Sequence, residues 1–160
     1  MASSQCIRSK RSNLAGGRSG FYAGDPEIIN YLGEVRQHAG FLMPGPIQHA
    51  SIAAFGDQTH VAEQRVRYWD RLVLMQKLVA ALGVEASLPG GGFYLWVPAP
   101  DGDAWAFAQR LAEDAGILVS PGEFYGEAGA GHVRIAVVQP DEQVSVAAAR
   151  VGVSLEGTDD

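Results

Sequence analysis

Pro89-Gly90-Gly91-Gly92-Phe93-Tyr94-Leu95-Trp96-Val97 sets a glycine-rich turn directly before five aromatic, apolar or β-branched residues. Such a run suits the pleated, half-buried surface of a strand, and the preceding Pro and Gly residues bound it as a turn. The glycine triplet is not a phosphate loop, because no Gly-Lys-Ser/Thr ending follows and it leads into a strand rather than a helix. On the N-terminal side, Thr59 to Leu82 carries the longest helical pattern. Val66, Trp69, Leu72, Met75, Val79 and Leu82 make its apolar side, its early turns are polar, and Gly83 ends it. That is the pattern of a half-solvated helix.

On the C-terminal side, Pro98 to Asp103 reads as a loop, and Asp103 caps a helix carrying Trp105, Ala108, Leu111, Ala112 and Ala115. Ile117-Leu118-Val119-Ser120 and His132 to Val138 read as strands, and Pro140-Asp141-Glu142 opens a last helix to about Val151. The order helix, strand, helix, strand, strand, helix predicts an α/β chain with an α+β small domain, its sheet covered by helices on one face. Upstream, Gly20-Phe21-Tyr22-Ala23 reads as a short strand. Asp25 then caps a helix with Pro26 at its first position and an apolar stripe of Ile28, Leu32, Val35 and Ala39. Pro46 opens a second helix that closes at Gly56-Asp57. The expected division is 1–57 as part of a larger domain, 58–153 as the small domain, and 154–160 as an acidic tail.

Composition narrows the function classes. The chain has 160 residues, 47% of them apolar and 19% charged, which is the make-up of a chain with a core. A net charge of −6 argues against nucleic acid as the main partner. No apolar stretch approaches the roughly 20 residues of a membrane span, and the N-terminus lacks a secretory pattern. The expectation is therefore a cytoplasmic protein without nucleic-acid or membrane partners. Cys6 is the sole cysteine, and no two of the histidines at 38, 49, 60 and 132 share helical spacing, so no metal site is expected. Ten of the twelve basic residues are arginine, which makes Lys10 and Lys77 worth separate attention.

Chemistry concentrates in Ser9-Lys10-Arg11-Ser12-Asn13-Leu14-Ala15-Gly16-Gly17-Arg18. One reading is a solvated basic loop. The other is a lysine that condenses with an aldehyde to an imine, with an arginine nearby to hold an anionic handle. The segment resembles the cofactor-lysine motif of the class I/II (fold-type I) aminotransferases, with Ser9, Lys10, Asn13, Leu14, Gly16 and Arg18 in its slots. Gly91-Gly92-Phe93-Tyr94-Leu95-Trp96 is similar to the glycine-aromatic strand of that family's small domain. Val119-Ser120-Pro121-Gly122-Glu123-Phe124-Tyr125-Gly126, followed by Gly131-His132-Val133-Arg134-Ile135-Ala136, is similar to its Pro-Gly…Phe-Gly…Arg block. The likeness runs from about Ile7 to Val151, and its finer look is that of bacterial succinyldiaminopimelate aminotransferases.

That resemblance implies pyridoxal 5′-phosphate as cofactor, an amino acid and a 2-oxo acid as substrates, and a homodimer. It implies that Lys10 is the catalytic lysine that carries the cofactor, with Ser9 and Arg18 also binding the cofactor. Arg18 takes the phosphate and Arg134 takes the substrate α-carboxylate. N-succinyl-diaminopimelate and 2-oxoglutarate, in lysine biosynthesis, are the implied pair. The sequence departs from the family at Ile7, where a small hydroxyl residue is usual, at Arg8 in place of an apolar residue, and at Gly17 in place of an aromatic. Lys10 also lies only ten residues from the start, whereas the family's lysine follows a whole cofactor-binding sheet. The expectation is a C-terminal fragment without transaminase turnover of its own. Its alternative is a catalytically dead relic or interaction module that pairs with itself or with a separately encoded N-terminal half. β-Lyase or decarboxylase chemistry on the same fold is a third reading.

Overall fold

A computed structural model of the chain describes residues 5–153, and the side chains of residues 11–153. The acidic tail and the side chains of Cys6, Ser9 and Lys10 lie outside the described residues. The described residues fall into two compact units, divided between Gln64 and Arg65.

In the first unit, strands β1 (Gln5–Arg8) and β2 (Gly20–Ala23) pair antiparallel with Arg8 opposite Gly20. Helix α1 (Pro26–His38) starts as its sequence predicts: the Asp25 carboxylate accepts from the Glu27 and Ile28 N–H groups, which have no partner within the helix. Past its end Gly40 takes φ +74°, a conformation that glycine reaches without a Cβ clash. The expected apolar stripe does not become a core face, because no residue of α1 is buried and Ile28 and Val35 are exposed. Helix α2 (Gly45–Gly56) follows, and the early turns of α3 (Thr59–Ala81) complete the unit.

The second unit holds the core. Strands β3 (Tyr94–Pro98), β4 (Ser120–Pro121) and β5 (His132–Ala136) form an antiparallel sheet in the order β3-β5-β4. Side chains alternate across a strand, so Leu95, Val97, Val133 and Ile135 point together to one face and are at most 1% exposed. Against them pack Leu72, Met75, Leu78 and Val79 of α3, Ala104 and Phe107 of α4 (Ala104–Arg110), and Val144, Ala147 and Ala148 of α5 (Asp141–Arg150). Asp103 caps α4 by accepting from the Trp105 and Ala106 N–H groups.

The sheet is therefore one-sided, as the pattern predicts, with two local corrections. The expected strand Ile117–Ser120 shrinks to the pair Ser120–Pro121, and Leu118 is 91% exposed. Val66 and Trp69, read as part of the apolar side of α3, are exposed, and Leu78, absent from that reading, is fully buried. No helix among the described residues is long and apolar enough to cross a membrane.

Candidate active site

The register of β1 and β2 decides where the lysine loop goes. With Arg8 paired to Gly20, residues Ser9 to Ser19 form the loop that joins the two strands. The backbones of Lys10 and Arg18 each stand two residues from that closing pair, at the base of one loop. Ser9–Ser12 is a single 3-10 turn, and Asn13 and Arg18 take φ +53° and +49°. A left-handed conformation in residues other than glycine is uncommon, and it persists here under side-chain tethers.

Those tethers run to α2 and α3. Arg11 donates to the Ala54 carbonyl at 3.1 Å and to Gln58 Oε1 at 2.6 Å, and lies over the Phe55 ring. Ser12 donates to the Ala54 carbonyl, and Asn13 Nδ2 donates to Gln64 Oε1. At the far side of the loop, buried Ser19 and Ser51 share a 2.5 Å hydrogen bond between hydroxyls. Arg11, Ser19 and Ser51 therefore have structural work that sequence reasoning did not assign. Arg18 differs: its side chain is exposed and has no hydrogen bond or ion pair among the described residues.

Asp57 anchors the start of α3. Its Oδ1 accepts from the Thr59 N–H at 2.8 Å and its Oδ2 lies 2.6 Å from His60 Nδ1. The hydrogen bond to His60, then that from Thr59, holds the carboxyl below its ordinary value of 3.8. A lowered folded-state value stabilises the fold above the ordinary carboxylate range and loses that effect as pH falls through the lowered value. Asp57→Asn is accordingly expected to lower the melting temperature at pH 7, and the gap to the unsubstituted chain closes in acid. Melts followed by circular dichroism across pH check this.

Arg134 belongs to the second unit, on the sheet face turned away from the core. It stands opposite Trp96 on β3 and opposite Ser120 on β4. Its guanidinium carbon lies over the Tyr94 ring at 4.3 Å and over the Tyr125 ring at 4.4 Å. Trp96 meets Tyr125 edge-on at 5.9 Å and stacks on His132 at 5.4 Å. No carboxylate pairs with Arg134 among the described residues, and its Nε is buried without a hydrogen-bond partner. A half-buried cation with unused donors is a site for an anion. The sequence reading names Arg134 and neither tyrosine, since only the strand register and the fold of the 122–131 loop bring them to it.

The chain matches the model of the family described as aminotransferase class I and II over residues 8–151. It belongs to that family. It is 46% identical over 143 residues to the 4-dedimethylamino-4-oxo-anhydrotetracycline transaminase OxyQ of Streptomyces rimosus, covering 89% of this chain and 39% of that protein. It is 34% identical to the LL-diaminopimelate aminotransferase of Aquifex aeolicus, over 89% of this chain and 38% of that protein. An aminotransferase from Staphylococcus aureus superposes with a TM-score of 0.81 at 30% identity, over 92% of this chain and 40% of its own. The chain thus spans about two fifths of the length of the relatives it matches. Enzymes of this family depend on pyridoxal 5′-phosphate. The chemistry of Arg18 fits the phosphate of such a group, since its exposed guanidinium has no hydrogen bond or ion pair among the described residues.

Proposed function

We propose that this chain contributes the lysine loop and the substrate-carboxylate strand of a pyridoxal-phosphate-dependent aminotransferase, moving an amino group between an amino acid and a 2-oxo acid. Arg134 is the observation that carries the reading, because a guanidinium with no internal carboxylate partner and a buried, unpaired Nε suits an α-carboxylate. Arg18 holds the cofactor phosphate, with Ser9 beside Lys10 also contacting the cofactor. The Lys10 amine carries the cofactor between turnovers and moves the proton at the substrate α-carbon. An amine near other cations has a lowered pKa and can serve as a base near neutrality. The bound cofactor supplies the electron sink, and the protein supplies placement and charge.

N-succinyl-diaminopimelate as donor and 2-oxoglutarate as acceptor, in lysine biosynthesis, are the substrates proposed, supported by the diaminopimelate aminotransferase among its relatives. Residues 1–57 then act as part of a cofactor-binding domain and 58–153 as the small domain. A homodimer in the cytoplasm is proposed, supported by the apolar side chains of Tyr31, Phe41, Leu42 and Ile52 that the first unit leaves exposed.

Borohydride trapping of added pyridoxal phosphate followed by peptide mapping tests the reading. Label is expected on Lys10, and Arg18→Gln is expected to weaken cofactor binding about 10- to 100-fold, the contribution of a charge-assisted contact. Label confined to Lys77 or the N-terminus, or no label at all, would overturn it.

A further inference from the structure

Arginine side chains that must sit in one place are usually held by an acidic partner, which also cancels their charge. Arg134 has no such partner among the described residues, yet the ring faces of Tyr94 and Tyr125 lie 4.3 and 4.4 Å from its guanidinium carbon. We infer that Tyr94 and Tyr125 are positioning residues for the carboxylate site, clamping the Arg134 guanidinium by its faces so that only its N–H edge remains for a carboxylate. This rests on the reading of Arg134 given above.

All five guanidinium N–H donors lie in one plane, so a ring over a face uses the π-quadrupole attraction without occupying a donor. The clamp therefore fixes the orientation of the fork and leaves its charge and hydrogen-bonding capacity unspent. Binding a carboxylate then costs less side-chain ordering than binding to a free arginine.

Each tyrosine is itself fixed. Tyr94 sits on β3 opposite Ala136, between residues that hydrogen-bond β5, with its ring 4.4 Å from the Phe93 ring. Tyr125 ends the 3-10 turn Gly122–Tyr125, held by the edge of Trp96 and, through Glu123, by the indole N–H of Trp105. Trp96 in turn stacks on His132, two residues before Arg134.

The full chain is labelled with 15N and the Arg134 Nε–H resonance is followed during titration with 2-oxoglutarate. Ring currents are expected to shift that proton away from the position of an exposed arginine. Tyr94→Leu and Tyr125→Leu are each expected to return it toward that position and to weaken 2-oxoglutarate binding about five- to tenfold. Tyr125→Phe, which keeps the ring, is expected to preserve both. Tyr125 is 49% exposed and outside the core, so its leucine variant retains the fold and carries the test alone if the Tyr94 variant does not. If 2-oxoglutarate moves the Arg134 signal, Arg134→Lys abolishes binding, and both leucine variants bind as tightly as the unsubstituted chain, the clamp is refuted and the carboxylate site stands. If Arg134→Lys binds undiminished, or the Arg134 signal never responds, the carboxylate reading itself fails and the clamp with it.

Discussion

Gly122→Ala is expected to destabilise the second unit by about 3 kcal/mol, at the upper end of what overpacking a tight site costs. The methyl group would land on the carbonyl oxygen of Gly129 and 2.8 Å from that of His132. Both obstacles are backbone, so no side chain can swing aside to make room. Gly129 is packed in the same way from the other side, since a Cβ there would meet the Gly122 carbonyl oxygen at 2.5 Å and Trp96 Cζ2 at 3.2 Å. The two glycines lie back to back and close the loop that presents Tyr125. Relief of the clash must separate residues 122 and 129, which lifts Tyr125 from Arg134. Urea unfolding of Gly122→Ala measures the stability loss, and a matched Gly126→Ala variant is the control. Gly126 has open space around its Cβ position but φ +114°, so its cost is backbone strain alone. A Gly122 loss no larger than the Gly126 loss would show that the close approach of 122 to 129 does not limit the loop.

Which features were legible in the sequence follows from how local their causes are. The Asp25-Pro26 and Asp103 helix starts needed only a side chain two or three residues from the N–H groups it satisfies, and both appear as read. The glycine-bounded strand at Tyr94–Pro98 and the one-sided sheet needed only alternation and turn chemistry. Ile117–Ser120 failed because strand formation needs a partner along its whole length, and β5 offers register only to Ser120 and Pro121. α1 failed differently: its stripe has helical spacing, but burial of a stripe requires a surface opposite it, which periodicity does not supply. At the candidate site, the motif names Lys10, Arg18 and Arg134 as candidates, each carrying its signal in neighbouring residues. The tyrosines at Arg134 come from 40 and nine residues before it in the chain, and no spacing rule connects them. Only the pairing of Trp96 with Arg134 and the folded 122–131 loop do so.

Leu78→Ala is expected to cost about 3 kcal/mol, whereas Val66→Ala on the same helix is expected to cost less than about 0.5 kcal/mol. Both residues are apolar and both lie on α3, and the helical spacing of the sequence had selected Val66 and passed over Leu78. In the folded chain Leu78 is 0% exposed among Leu72, Met75 and Val79, while Val66 is 61% exposed. Removing the isobutyl group of Leu78 takes away buried surface and leaves a cavity between α3 and the sheet, and interiors packed at crystal-like density collapse into such spaces only in part. Removing the isopropyl group of Val66 takes little surface out of a dry environment, and alanine has the higher helix propensity, which offsets part of the loss. The sign of the difference therefore does not depend on the transfer coefficient chosen. Equilibrium urea unfolding of the two variants decides it. Equal losses would mean that the N-terminal half of α3 is buried in solution. In that case the apolar side first read from the sequence, Val66 and Trp69 included, is the true packing face.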